Sequence, residues 1–184
     1  MKETVTTINN FLQTLEKGTI VAMDGYSGIG KTTISNKIGE INKTVQVLHL
    51  DDYVVTSNTK ESLEPQQILN NKDLKLEWSN VKGKGFKKLQ EDIKNNADKT
   101  ILVEGVFFSH PDVLPKTFDR LIFIDGDEGL ADKRRVLREK ERWGNEYFPE
   151  THPDSFARLF TLAWKKYKEL YDPKNNSDLT ICVE

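Results

Sequence analysis

The stretch Thr19-Ile20-Val21-Ala22-Met23-Asp24-Gly25-Tyr26-Ser27-Gly28-Ile29-Gly30-Lys31-Thr32-Thr33 decides how the rest of the chain is read. It opens on a compact apolar run, Thr19 to Asp24, short enough to be a buried strand. Gly25 to Thr32 then match G-x-x-x-x-G-K-[ST] without a gap, and a helical pattern follows over residues 32–41. Strand, glycine-rich turn and helix in that order make a cradle for phosphate. The glycines let backbone N–H groups wrap an anion where a Cβ would clash or forbid the torsions. The helix then points the positive end of its dipole at the anion. Gly25, Ser27, Gly28, Ile29, Gly30, Lys31, Thr32 and Thr33 are the candidate nucleotide-binding residues. Lys31 supplies a cation for the β- and γ-phosphates, and the Thr32 hydroxyl suits Mg²⁺. In an empty loop Lys31 is expected to be exposed, and so to be needed for nucleotide use but not for folding.

Outward from this core, four more apolar runs read as strands: residues 45–50, 101–104, 121–124 and 179–183. None alternates strictly, which suits strands covered on both faces of a parallel sheet. Val5, Ile8, Leu12 and Leu15 recur at helical spacing ahead of Gly18, predicting a first helix over residues 3–17. Phe86, Leu89, Ile93 and Ala97 mark a helix before the third strand. Residues 128–142 and 154–171 predict two more, with Trp164 and Tyr167 at core positions. Alternating strands and helices define an α/β three-layer fold, with a five-stranded parallel sheet in the order 2-3-1-4-5 and helices on both faces. No composition shift divides the chain, so residues 1–184 are expected to form a single domain. The polar stretch Thr56 to Asn80 is the least regular part and reads as a loop with short helical pieces.

Composition narrows the setting. Lys and Arg number 27 against 29 Asp and Glu, for a formal net charge of -2, which gives no global attraction to nucleic acid or an acidic membrane. No run approaches the roughly 18 apolar residues of a membrane span, and no apolar signal core follows Met1. The single cysteine, Cys182, excludes an internal disulfide and reads as a small core residue. A cytoplasmic protein without nucleic-acid or membrane partners is the expectation.

A phosphate cradle serves several chemistries. Guanine-reading enzymes need Asn-Lys-x-Asp, which neither Asn42-Lys43-Thr44-Val45 nor Asn71-Lys72-Asp73-Leu74 supplies. A small-molecule kinase needs only the cradle, a base, a magnesium site and arginines over the transferring group. Leu48-His49-Leu50 runs straight into Asp51-Asp52-Tyr53, and ligands of open α/β sheets bind beyond the carboxyl ends of strands. One of these carboxylates can take a hydroxyl proton while the other holds substrate or a magnesium-bound water. Aspartates also cap turns, but two in a row beside a cradle favour chemistry. Arg134, Arg138 and Arg142 are spaced by four on one helical face, beside Arg135. That suits a lid over ATP, about residues 127–145, with Arg134 or Arg138 acting on the transferring group. Trp78, in the variable middle segment, can stack on an acceptor ring or anchor the loop. His49 reads as a satisfied buried histidine.

Taken together, Gly25 to Thr33, Leu50-Asp51-Asp52-Tyr53, Ile101 to Val106, Asp119 to Asp125, Lys133 to Glu139 and Tyr171-Asp172-Pro173 resemble the uridine kinase family. Phosphoribulokinase and bacterial pantothenate kinase belong to the same wider group. The resemblance implies ATP and Mg²⁺ as cofactors, Asp51 as the catalytic base, and Glu104 as the strand-end acid that reaches magnesium through water. Asp51, Asp52, Tyr53, Trp78 and Arg134 are the candidate acceptor contacts. The acceptor the resemblance implies is a hydroxyl of a nucleoside-like metabolite; a vitamin precursor or sugar phosphate, or a non-catalytic nucleotide-binding module, are the other readings. Val54 stands where uridine kinases commonly carry a tyrosine, and Ala131 where a further arginine is expected. Both departures predict that uridine itself is a poor substrate.

Overall fold

Strands β1 (Ile20–Gly25), β2 (Val45–His49), β3 (Thr100–Glu104), β4 (Arg120–Gly126) and β5 (Leu179–Val183) pair in parallel in the order β2-β3-β1-β4-β5. The computed structural model describes residues 1–53, 86–110, 118–147, 149, 151 and 156–184. Val54, Trp78 and the stretch from Thr56 to Asn80 lie outside the described residues, as does His152. The helices are α1 (Lys2–Gln13), α2 (Lys31–Ile41), α3 (Phe86–Asn95), α4 (Glu128–Trp143) and α5 (Phe156–Tyr171). β3 is buried at every position and β1 at all but its first, which requires cover on both faces of the sheet. The three-layer architecture and the strand order are those expected from the alternating runs.

Two edges differ from the expectation. α1 buries Val5, Ile8 and Leu12 as predicted but ends at Gln13 rather than residue 17. The chain must already turn there to enter β1: Thr14 caps the helix through its hydroxyl on the Phe11 carbonyl (2.7 Å), and the Gly18 amide leaves to donate to the Lys99 carbonyl. β5 is the outermost strand and is covered on one face only. Leu179, Ile181 and Val183 are half-buried while Thr180 and Cys182 face solvent, so Cys182 is exposed and not a core residue. In a run of five mostly apolar residues, periodicity does not distinguish an inner strand from an outer one.

α5 fastens the carboxyl half onto the sheet. Trp164 and Tyr167 are fully buried, as expected, and Trp164 stacks parallel to Phe123 of β4. Tyr26, Phe107, Phe160, Trp164 and Tyr167 form a continuous aromatic cluster with ring centroids 5.0–6.3 Å apart. Each such pair contributes about 0.5–1.5 kcal/mol beyond the area it buries. Glu128 at the start of α4 accepts from Trp164 Nε1 (2.9 Å) and Lys168 Nζ (2.6 Å), tying α4 to α5.

Candidate active site

The loop between β1 and α2 is held in conformations a side chain would oppose. Gly25 has φ +153°, and a Cβ there would lie 2.5 Å from the Ile124 carbonyl oxygen. Gly28 has φ +88°, and a Cβ would come within 2.3 Å of the Ala131 carbonyl oxygen at the start of α4. Ala131 is fully buried at this contact. The absence of a side chain at Gly28 thus lets the loop lie directly against the α4 backbone. Ile29 is buried beneath the loop, Gly30 caps α2, and Thr32 and Thr33 are exposed in its first turn.

Lys31 is not exposed, contrary to expectation: only 5% of it reaches solvent. Its ammonium donates to the carbonyls of Gly25 (2.8 Å) and Tyr26 (2.9 Å), at the amino end of the same loop. Two of its three N–H donors are thereby used to fix its position, leaving one for a phosphate oxygen. Burial lowers its pKa, while the carboxylates of Glu104, Asp24 and Asp51 act in the opposite direction.

The strand ends bring acids to the same place. Glu104, at the end of β3, accepts from the Thr32 hydroxyl (3.2 Å) and from His49 Nδ1 (3.0 Å). Asp51 and Asp52 fall in the short 3₁₀ turn Leu50–Asp52 directly after β2, and both are exposed. Protein still displaces enough water around Asp51 to raise its pKa. The negative charge of Glu104 adds to that shift, while Lys31 and Arg138 oppose it. Tyr53, next in sequence, is buried and its hydroxyl donates to Asp92 of α3 (2.7 Å), so its polar end is engaged with the protein.

On the other side, α4 runs past the loop. Arg138 Nη2 donates to the Ser27 hydroxyl (3.1 Å), and its charge is felt at both Lys31 and Asp51. Arg134, one turn earlier, is exposed. The Arg142 side chain lies outside the described residues. Arg135 belongs to the buried face of α4: it is fully buried, pairs with Asp132 (2.7 Å), and lies over the rings of Tyr26 and Phe160. Tyr26 in turn donates to Asp132 (2.6 Å), so the loop is tied to α4 through a side chain as well as through Gly28.

One residue of this region was not singled out as functional by the sequence, and a second was given only a structural role. Asp24, next to last in β1, is fully buried and accepts from the amides of Gly25, Phe107 and Phe108 and from the Tyr167 hydroxyl (2.5 Å). Desolvation raises its pKa against the opposing pull of Tyr167, Lys31 and the Gly25 and Phe108 amides. It also holds Phe107 at φ +64°, a conformation a bulky residue keeps only when its surroundings impose it. An acid closing an otherwise apolar strand was the available signal. The second is His49, half-buried rather than buried, which sits beside Glu104 in the β2–β3 register.

The residues fit a magnesium nucleotide. The glycine cradle, one remaining Lys31 donor and the Thr32–Glu104 pair meet at the loop. Among the described residues no group of three or more His, Cys, Asp or Glu could cage a cation. The Thr32 hydroxyl beside the Glu104 carboxylate suits Mg²⁺, which keeps several waters and is bound through one or two protein groups plus nucleotide phosphates.

No family model matches the chain. A protein named uridine kinase from Bacillus pumilus (strain SAFR-032) is 28% identical, with 88% of this chain and 89% of that protein covered. Another of that name from Macrococcus caseolyticus (strain JCSC5402) is 24% identical, with 89% and 92% covered. Among solved structures, a possible uridine kinase from Bacillus stearothermophilus aligns with a TM-score of 0.59 at 17% identity over 98% of both chains. The protein TT1252 from Thermus thermophilus aligns with a TM-score of 0.62 at 10% identity, over 92% of this chain and 90% of that one. The two structures share the fold. Fold, loop and relatives together support a P-loop kinase. More narrowly, the resemblance to the uridine kinase-like P-loop kinases extends through relatives of that name along nearly nine-tenths of the chain.

Proposed function

We propose that this chain transfers the γ-phosphate of ATP to a hydroxyl group of a nucleoside-like metabolite other than uridine. The observation that carries the reading is the convergence of Lys31, Asp51, Glu104 and Arg138 on one glycine cradle. Magnesium-bound ATP supplies the transferable phosphoryl group and a cation that spreads its charge. Around it, the loop from Gly25 to Thr33 and Lys31 hold the phosphates, and Thr32 and Glu104 face the metal. Arg138 neutralises charge from the α4 side, with Arg134 next to it on the exposed face. Residues 127–145 act as the lid, and residues 1–184 as one kinase domain. Asp51 accepts the acceptor's proton, with Asp52 and Arg134 lining the acceptor. The engaged Tyr53 hydroxyl makes its acceptor contact one of shape. No helix among the described residues is long and apolar enough to cross a membrane, and the balanced charge offers nucleic acid no attraction. Small molecules in the cytoplasm are the proposed partners.

The test is an ATP-consumption screen over nucleosides, pantothenate and sugar phosphates, followed by steady-state kinetics. The expected result is a preferred hydroxyl-bearing acceptor with uridine used weakly. A kcat/KM for uridine on the order of 10⁵ M⁻¹s⁻¹ or more, ordinary for a dedicated enzyme, would overturn the exclusion of uridine. No turnover with any acceptor would overturn the kinase reading.

Asp51→Asn keeps the shape and removes the base. Its kcat is expected to fall roughly 10²–10⁴-fold with ATP affinity unchanged. Protonated Asp51 cannot accept a proton, so wild-type kcat/KM should fall as pH drops, through a midpoint above the ordinary aspartate value of 3.8. The variant should lack that limb. Equal activity in the variant would move the base to Asp52.

A further inference from the structure

His49 and Asn36 do more than fill space. Thr32 and Asn36 are four residues apart on α2, so they share one face of the helix. His49 and Glu104 are register partners at the ends of β2 and β3, so their side chains leave the sheet on the same face. The helix period and the strand register together close a ring of four side chains. Thr32 Oγ1 donates to Glu104 Oε2 (3.2 Å), and His49 Nδ1 meets the same oxygen (3.0 Å). His49 Nε2 lies 3.0 Å from Asn36 Oδ1. An ionised carboxylate can only accept, so the hydrogen bond to Glu104 requires the proton on Nδ1. The unprotonated Nε2 is then an acceptor, so Asn36 fixes the plane of the imidazole ring with its amide turned about the terminal bond and its NH₂ donating to Nε2.

Glu104 needs this support. Only 8% of it is exposed, and Thr32 alone gives its carboxylate one neutral donor at 3.2 Å. Without His49 the carboxylate would be free to turn about its terminal bond, toward the Lys31 ammonium whose pKa it already influences. Histidine and amide groups that orient a metal-facing carboxylate govern metal affinity though they never touch the ion.

We propose that His49, steadied by Asn36, is a positioning residue that holds the Glu104 carboxylate beside the Thr32 hydroxyl and so sets the affinity of the site for the magnesium of the bound nucleotide. This rests on the reading of Thr32 and Glu104 as the metal-facing pair. It predicts a defect confined to the metal-dependent part of nucleotide binding.

The test is calorimetric titration of the full chain with ADP, with and without Mg²⁺, for wild type, His49→Ala, His49→Asn and Asn36→Ala. Wild type is expected to bind ADP more tightly when Mg²⁺ is present. His49→Ala should lose roughly 10–100-fold in magnesium affinity of the ADP complex, with metal-free ADP affinity unchanged. His49→Asn, which keeps an N–H near the position of Nδ1, should recover most of the loss. Asn36→Ala should show the same defect more weakly, and it carries the test if His49→Ala does not fold. If wild type itself gains nothing from Mg²⁺, the metal-facing reading of Thr32 and Glu104 is wrong. If wild type gains and His49→Ala gains equally, the positioning role is wrong. Parallel loss of metal-free ADP binding, or an asparagine variant as poor as alanine, would likewise overturn it.

Discussion

Lys31→Ala is expected to reduce turnover by about 10³-fold or more while leaving the chain folded. The ammonium is fixed at the amino end of the loop by the Gly25 and Tyr26 carbonyls, so its charge is held in place beside the cradle. Water entering in its place would have to be oriented by the same carbonyls and would carry no charge. The burial of Lys31 alters what is expected of stability. Two charge-assisted hydrogen bonds disappear, each worth about 1.5–3 kcal/mol, but so does the desolvation of a buried ammonium. The two effects oppose each other, so the net loss should stay below about 3 kcal/mol. Initial rates of ATP consumption, a circular dichroism spectrum and a urea titration measure the three quantities. Wild-type turnover would remove Lys31 from the mechanism. A variant that does not fold would make the lysine a structural residue first.

Asp24→Ala should be the more damaging substitution for the fold. It would leave three backbone amides and the Tyr167 hydroxyl without their acceptor in a site closed to water. It would also release Phe107 from its strained backbone conformation. Buried donors left unpaired cost about 1–3 kcal/mol apiece, and breaking a buried charged network about 3–5 kcal/mol. A loss of about 3–5 kcal/mol is expected, a large part of the roughly 5–15 kcal/mol that holds a domain together. Asp24→Asn should recover only part, because its NH₂ must face donors already present. Urea unfolding decides the matter. A loss under about 1 kcal/mol, the scale of a single neutral hydrogen bond, would mean that water replaces the carboxylate without consequence.

The elements were legible where a local pattern carries them. The cradle is contiguous from Gly25 to Thr32, and the β1, β2 and β3 runs end close to Asp24, His49 and Glu104, so strand, loop and strand-end acids could be placed without coordinates. Contacts between distant segments were not legible. Asp24 was read as the last residue of an apolar strand because Tyr167, its partner, belongs to a helix 143 residues on. The pairing of His49 with Glu104 depends on register, which becomes readable only once β2 and β3 are known to be neighbours. The arginines split for a similar reason. Spacing put Arg134 and Arg138 on one face of α4, but only packing shows that Arg138 reaches Ser27 while the adjacent Arg135 is consumed by Asp132 and two aromatic rings. Ala131 read as a position where a further arginine is expected, and only packing shows that it is fully buried with its backbone against Gly28.

The latch between Asp24 and Tyr167 has a bearing on the order in which a newborn chain becomes competent. At about 5–20 residues per second, the 143 residues between them take the ribosome about 7–30 s to add. During that interval β1 and its loop exist, but the carboxylate at their base lacks its hydroxyl donor and the aromatic cluster lacks Phe160, Trp164 and Tyr167. The central strand waits longer than its neighbours for its surroundings, since β4 begins a hundred residues after it. The earliest part of the phosphate cradle to be synthesised is thus among the last to be completed, and a nascent chain arrested before α5 would carry the whole motif yet hold nucleotide poorly.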